Sequence, residues 1–190
     1  MFFLFIMEIF NQSAGGKTKI WSTTYKGQST YNQNSWAEMT FFTTDVSVEK
    51  ECLAVLSCSI CFSNGASGLN AAFRFVKFVN DEWETIKTGD NYQKRLGVNF
   101  SEQPKPDADQ HLTTVSYSIC DILEPGTKKV SLQMRATDTD QIYFNRPKRY
   151  DSKDFLHNAS STFTVFLLEG DVTKNTSSDG STTYESFVTN

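Results

Sequence analysis

The chain has 190 residues, enough for one domain whose core needs neither disulfides nor a metal to hold it. Hydrophobic residues at 38%, with sixteen Phe, exclude global disorder. A net charge of −4 and a pI near 5.2 give no electrostatic footprint for nucleic acid; the one basic cluster, Arg146, Lys148 and Arg149 beside Pro147, reads as a solvated loop.

Residues 1–10, MFFLFIMEIF, are an apolar run far too short to span a bilayer. They lack the basic start of a secretory signal, Glu8 interrupts them, and Gln12-Ser13-Ala14 is a poor cleavage site. Three readings stay open for the segment 1–16: a strand docked on the domain, a degenerate signal peptide, or a plug into a partner. Period-two alternation then recurs, broken by turn residues, with no sustained helical period. Residues 17–25 are the first expected strand, ended by a polar turn at Gly27 and Gln28. Residues 35–44 follow, with Ala37, Met39 and Phe41 expected on one side, and 45–50 read as a polar connection. Residues 51–63 form a long apolar strand, and 64–68 a turn by composition. Residues 69–80 are apolar on both faces, which predicts a central strand covered on both sides.

Residues 92–100 alternate cleanly, and 101–110, with two prolines, read as a loop. Residues 112–120 place Val115, Tyr117 and Ile119 on one face and Ser and Thr on the other. Glu124-Pro125-Gly126-Thr127 has Pro and Gly where a turn wants them. In residues 128–137, Val130, Leu132, Met134 and Ala136 face inward and Lys129, Ser131, Gln133 and Arg135 outward. Asp138-Thr139-Asp140 is a turn, 142–145 a short strand and 146–158 a polar loop. Residues 160–169 form the last strand, with Phe163, Val165 and Leu167 opposed to Thr162, Thr164, Phe166 and Leu168. Residues 170–190 are Ser/Thr-rich and read as a tail, flexible at least to Ser181, with Tyr184, Phe187 and Val188 able to dock its end. The expected fold is therefore an all-β antiparallel β-sandwich of jelly-roll type with about nine strands, spanning 17–169 between the apolar segment 1–16 and the tail 170–190.

The segments 123–147 and 160–171 carry a resemblance. Pro125-Gly126 leads into Val130, Leu132, Met134 and Arg135, and the last strand presents Ser161, Phe163, Val165, Phe166, Leu167 and Leu168. This pattern resembles the jelly-roll domains of the tumour necrosis factor and complement globular-head superfamily, and related tail-fibre and head-decoration modules. The resemblance implies a homotrimer or a structural module that binds other proteins.

No G-x-S-x-G elbow, phosphate loop or dinucleotide fingerprint occurs. His111 and His157 are isolated, and Asp107 with Asp109, and Asp138 with Asp140, read as solvated turn acids, too weak a pattern for calcium. On a strand, Cys52 and Cys58 point to one face and Cys61 to the other, so with Cys120 they read as free buried thiols rather than a metal site. The expectation is no enzyme activity, no catalytic residue, no metal and no cofactor. Reduced cysteines favour an intracellular or virion-like setting. The sequons at Asn11, Asn99, Asn158 and Asn175 allow secretion, so the compartment stays open.

What remains is surplus aromatic area. Phe41 and Phe42, Phe73, Phe75 and Phe78, and Phe163 and Phe166 put apolar groups on both faces of strands, which predicts that part of the outer surface meets another chain. The leading expectation is a structural or protein-binding module that assembles through its apolar sheet surface, as a homo-oligomer or within a larger assembly. The alternative is a carbohydrate- or ligand-binding module using Trp21, Trp36 or Trp83 as a stacking platform; a hydrolase on a sandwich scaffold ranks third.

Overall fold

A computed structural model describes residues 18–31, 35–64, 71–86, 100–102, 112–136, 142–146, 159–169, 171–178 and 182–187. The apolar segment 1–16, the loop at 101–110 except its first two residues, the loop at 146–158 except Arg146, the turn at 138–140, and the expected strand at 92–100 except Phe100 lie outside them. Among the described residues every regular element is a strand. In chain order these are β1 (Thr18–Tyr25), β2 (Ser29–Tyr31), β3 (Ala37–Asp45), β4 (Cys52–Asn64), β5 (Ala71–Val79), β6 (Glu82–Thr85), β7 (Phe100–Glu102), β8 (Thr113–Leu123), β9 (Lys129–Ala136), β10 (Ile142–Phe144), β11 (Ser161–Glu169), β12 (Asp171–Thr176) and β13 (Thr182–Phe187).

Two sheets face each other, and each is four ribbons wide. In the first, β4 takes β8 along one edge. Its other edge is shared by β11 and β10, and these in turn carry β1 and β2. In the second, the order is β3, β9, β5, with β6 and β7 sharing the far edge of β5. The pairing is nested. The first ribbon lies beside the last, β3 beside β9, β4 beside β8, and β5 beside β6. That is the winding of a jelly roll, antiparallel throughout.

Alternation fixes what each face buries. On β4, Cys52, Ala54, Leu56, Cys58, Ile60 and Phe62 enter the core, as do Val130, Leu132, Met134 and Ala136 on β9 and Phe163, Val165 and Leu167 on β11. Phe75 of the second sheet lies stacked between Tyr117 and Phe163 of the first, with centroids 6.3 and 6.1 Å away. β5 is central and its outward Ala72 and Val76 are buried too, as its two apolar faces predicted.

Turn chemistry closes the layers. Gly126 adopts φ +88 after Pro125, and Thr127 N donates to Glu124 O, the arrangement a type II turn requires. Asn80 and Asp81 both have positive φ and join β5 to β6 as a two-residue hairpin loop. A buried node sits where β10 ends. Asn145, at φ 55, donates its Nδ2 to Tyr25 O and Gly27 O, each at 2.9 Å. Its Oδ1 accepts the Ser161 hydroxyl, whose oxygen accepts the Cys61 backbone N–H. This one side chain bridges the break between β1 and β2 to β11, which is why a non-glycine residue is held in the left-handed region.

Three expectations need correction. Met39 and Phe42 are both fully buried and Phe41 only partly, because the β3–β9 register shifts by three residues between Glu38 and Thr43; this irregularity resets the inward phase that Ala37, Met39 and Phe41 would have kept. The connection after β3 buries Val46 and Val48, whose N–H groups donate to Lys128 O and Thr127 O. The Ser/Thr-rich tail, read as flexible, pairs as a hairpin of β12 and β13, from Asp171 opposite Phe187 to Thr176 opposite Thr182. β-Branched Thr and Val favour that extended backbone.

Candidate functional site

The thiols divide as strand geometry predicts. Cys52 and Cys58 lie in the core, while Cys61 and Cys120 stand on the opposite face of the first sheet; all four are free. Burial pushes the Cys52 thiol up to about 11, helped by the Glu169 charge, and the Cys58 thiol up to about 12. Burial also raises Cys61 and Cys120. Cys52 and Cys58 are therefore buried thiols that act as small hydrophobes. Among the described residues no cluster of His, Cys, Asp and Glu could hold a metal. At pH 8, labelling of the native chain by a thiol disulfide reagent should therefore be slow at Cys52 and Cys58, with Cys120 the first to react. The sign of the linkage follows: stability is full below the ordinary thiol value of 9.0 and is lost as pH rises toward 11 to 12, where the folded thiols ionise. An alkaline unfolding series checks it.

His111, His157, Asp107, Asp109, Asp138, Asp140, Lys148 and Arg149 lie outside the described residues, as do the sequons at Asn11, Asn99 and Asn158. Asn175 is exposed on β12. Arg146 lies over the Tyr143 ring at 4.8 Å and donates to Thr30 Oγ1, so it is an anchored side chain on this sheet edge. The three Trp do not share one platform. Trp21 packs against the core from β1, whereas Trp36 and Trp83 both belong to the outer face of the second sheet.

The outer face of the first sheet has a composition that the individual strands conceal. Register aligns its outward residues into four rows across β1, β11, β4 and β8. They are Thr18–Leu168–Leu53–Ile122, Ile20–Phe166–Val55–Cys120, Ser22–Thr164–Ser57–Ser118 and Thr24–Thr162–Ser59–Ser116. None of these residues is charged. At the chain's 21% share of charged residues, about three of the positions would carry a charge, and an outer sheet face is normally where charge collects. Half of the face is nearly all apolar and half is all hydroxyl. Ile20, at 40%, is the most exposed of the apolar group, and within the hydroxyl half Ser22 meets Thr164 at 3.0 Å and Ser116 donates to Ser59 at 3.1 Å.

The outer face of the second sheet is built differently. Trp36 precedes Ala37, which pairs with Met134, and so stands level with Arg135. Arg74 arrives from β5 opposite Gln133. The two guanidinium carbons lie 4.3 Å (Arg74) and 5.2 Å (Arg135) from the Trp36 ring centroid. Arg74 is fixed: its Nε donates to Gln133 Oε1 at 2.8 Å and its Nη1 to Thr85 Oγ1 at 3.2 Å. Arg135 Nε is buried and without a hydrogen-bond partner. Burial, and then the charge of Arg135, lower the pKa of Arg74. The nearest acid by register, Glu38, instead accepts the Thr43 hydroxyl at 2.6 Å. Each strand showed its own share of this arrangement, an outward Arg135 on β9 and a lone Arg74 in an apolar strand, but no sequence signal joined them to Trp36.

No protein-family model matches the chain, and no curated protein is similar to it in sequence. Solved structures of similar shape include the Eiger TNF of S. frugiperda, at 9% identity over 85% of this chain and 98% of that one, with a TM-score of 0.48. They also include the VP2 protein of infectious bursal disease virus, at 6% identity over 80% of this chain, which spans 36% of VP2, with a TM-score of 0.43. A third is the CBM22-1 xylan-binding domain of Paenibacillus barcinonensis Xyn10C, at 15% identity over 85% of this chain and 92% of that one, with a TM-score of 0.38. The jelly-roll fold of this chain is established by its own strand order, in which the first ribbon lies beside the last.

Proposed function

We propose that this chain is a non-enzymatic association module that pairs with a second copy of itself through the outer face of its first sheet. The observation that carries this reading is the complete lack of charge across the four aligned rows. Depletion of charge marks the centre of protein interfaces. With strands about 4.8 Å apart and alternate residues about 6.7 Å apart, the rows cover roughly 500 Å² on each partner. Two such faces bury about 1,000 Å², the lower bound for a specific complex. The face also complements itself. A two-fold axis running along the strands sets apolar rows on apolar rows and hydroxyl rows on hydroxyl rows, an isologous sheet-on-sheet contact.

Light scattering at tens of micromolar should give about twice the chain mass of 21.5 kDa. Ile20→Lys combined with Thr164→Lys should return the mass to one chain while the far-ultraviolet dichroism stays unchanged, since Ile20 is exposed and both side chains point away from the core. A monomer at every concentration would sink the proposal. So would a mass of three chains, the stoichiometry that the C-terminal resemblance implies, or a dimer that ignores the double substitution.

A further inference from the structure

The outer face of the second sheet points away from the proposed self-association surface, and its arginine pair has no role there. Two cations share one indole ring. Neither makes an ion pair among the described residues, although every lysine that faces an acid on the second sheet does: Lys77 with Glu124 and Glu84, Lys128 with Asp81, and Lys129 with Asp45. Acids are thus plentiful around this sheet, yet Glu38 is turned to Thr43. Gln133 and Thr85 take the Nε and one Nη of Arg74, which leaves its other Nη as an unassigned donor. Arg135 keeps a buried N–H with nothing to receive it, and buried donors without partners are rare enough to need a reason.

We propose that Arg74 and Arg135, braced by Trp36, form a binding site for the carboxylate of a small organic acid. A guanidinium is planar and matches a carboxylate with two parallel N–H···O bonds. The indole holds both guanidiniums in place before the ligand arrives, so little freedom is lost on binding. An anion between the two cations also removes their mutual repulsion. A structural cation–π ladder explains the stacking, but it leaves two like charges adjacent without a counter-charge.

The test is a fluorescence titration, since Trp36 reports directly on the site. Glucuronate and glutarate serve as probes, one a sugar acid and one an aliphatic acid; glucose and sodium chloride at matched ionic strength are controls. Both acids should give a saturable change that the controls lack. A tighter response to glucuronate assigns the site to sugar acids, and equal responses assign it to the carboxylate alone. Arg135→Gln should weaken the response about tenfold or more, and Arg135→Lys, which keeps the charge but loses the fork, should fall between. If sodium chloride reproduces the change, or if Arg135→Gln leaves it intact with an unaltered melting temperature, the arginines are a ladder and nothing more. Repeating the titration on the Ile20→Lys, Thr164→Lys chain separates this site from self-association, because the two faces lie on opposite sides of the sandwich.

Discussion

Asn145→Ala should lower the unfolding free energy by roughly 3–5 kcal/mol, a large share of the stability of a domain. Alanine removes both donors to Tyr25 O and Gly27 O and the acceptor for the Ser161 hydroxyl. Buried polar groups left without partners cost about 1–3 kcal/mol each when water cannot reach them. Alanine at φ 55 adds about 1 kcal/mol of left-handed strain. Two companion variants divide the loss. Asn145→Gly relieves the backbone but keeps the orphaned carbonyls, so it should recover only the strain. Asn145→Asp keeps the size, removes the Nδ2 donors and sets a carboxylate against two carbonyl oxygens, so it should be at least as damaging as alanine. Denaturant titration measures all three. A loss below about 1 kcal/mol for alanine would show that the node is decorative.

Phe75→Ala should cost about 3–5 kcal/mol, the range for deleting a fully buried aromatic side chain. Phe75 is fully buried and fills the space between the two sheets, flanked by Tyr117 and Phe163. Both neighbours are held by their own strands and cannot collapse into the gap, so a cavity persists. Phe75→Leu should cost less, about 1–2 kcal/mol, because most of the volume is kept. In a domain of this size 1 kcal/mol moves the melting temperature by about 2–4 °C. The alanine variant should therefore melt roughly 6–20 °C lower. A shift under about 3 °C would mean that the sheets close over the vacancy.

The strands whose faces differ in character were legible without a structure. Residues 112–120, 128–137 and 160–169 alternate, and their inward residues are the ones found in the core. β3 kept its place but lost its phase, because an irregularity puts three extra residues into β3 against β9, with no mark in the composition. The tail was misjudged because Ser and Thr were counted together, although only Thr is β-branched and favours a strand. Both candidate faces were out of reach for another reason. The bare hydroxyls of β8 and the Thr, Phe and Leu of β11 could each be read singly, but the uncharged face exists only once register aligns four strands. Trp36, just before β3, Arg74 on β5 and Arg135 on β9 lie far apart in the chain, and no local pattern records that they meet. Asn145 is similar: its residue type tolerates a left-handed backbone, but the carbonyls it serves lie near the opposite end of the sequence.

The nesting of the ribbons has a consequence for how the molecule is made. Thr18 pairs with Leu168, so β1 waits for a partner made 150 residues after it. At about 5–20 residues per second, that interval is roughly 10–30 s. Once β4 is made, the edge that β11 will occupy stays an open row of amides on an apolar strand for the rest of that interval. The first sheet cannot close before β11 is made, because β11 joins β1 to β4. Long-range pairing of this kind is slow even in a free chain. The nascent chain thus spends its longest period as an open sheet edge in a crowded polysome, where other copies of the same edge are closest at hand.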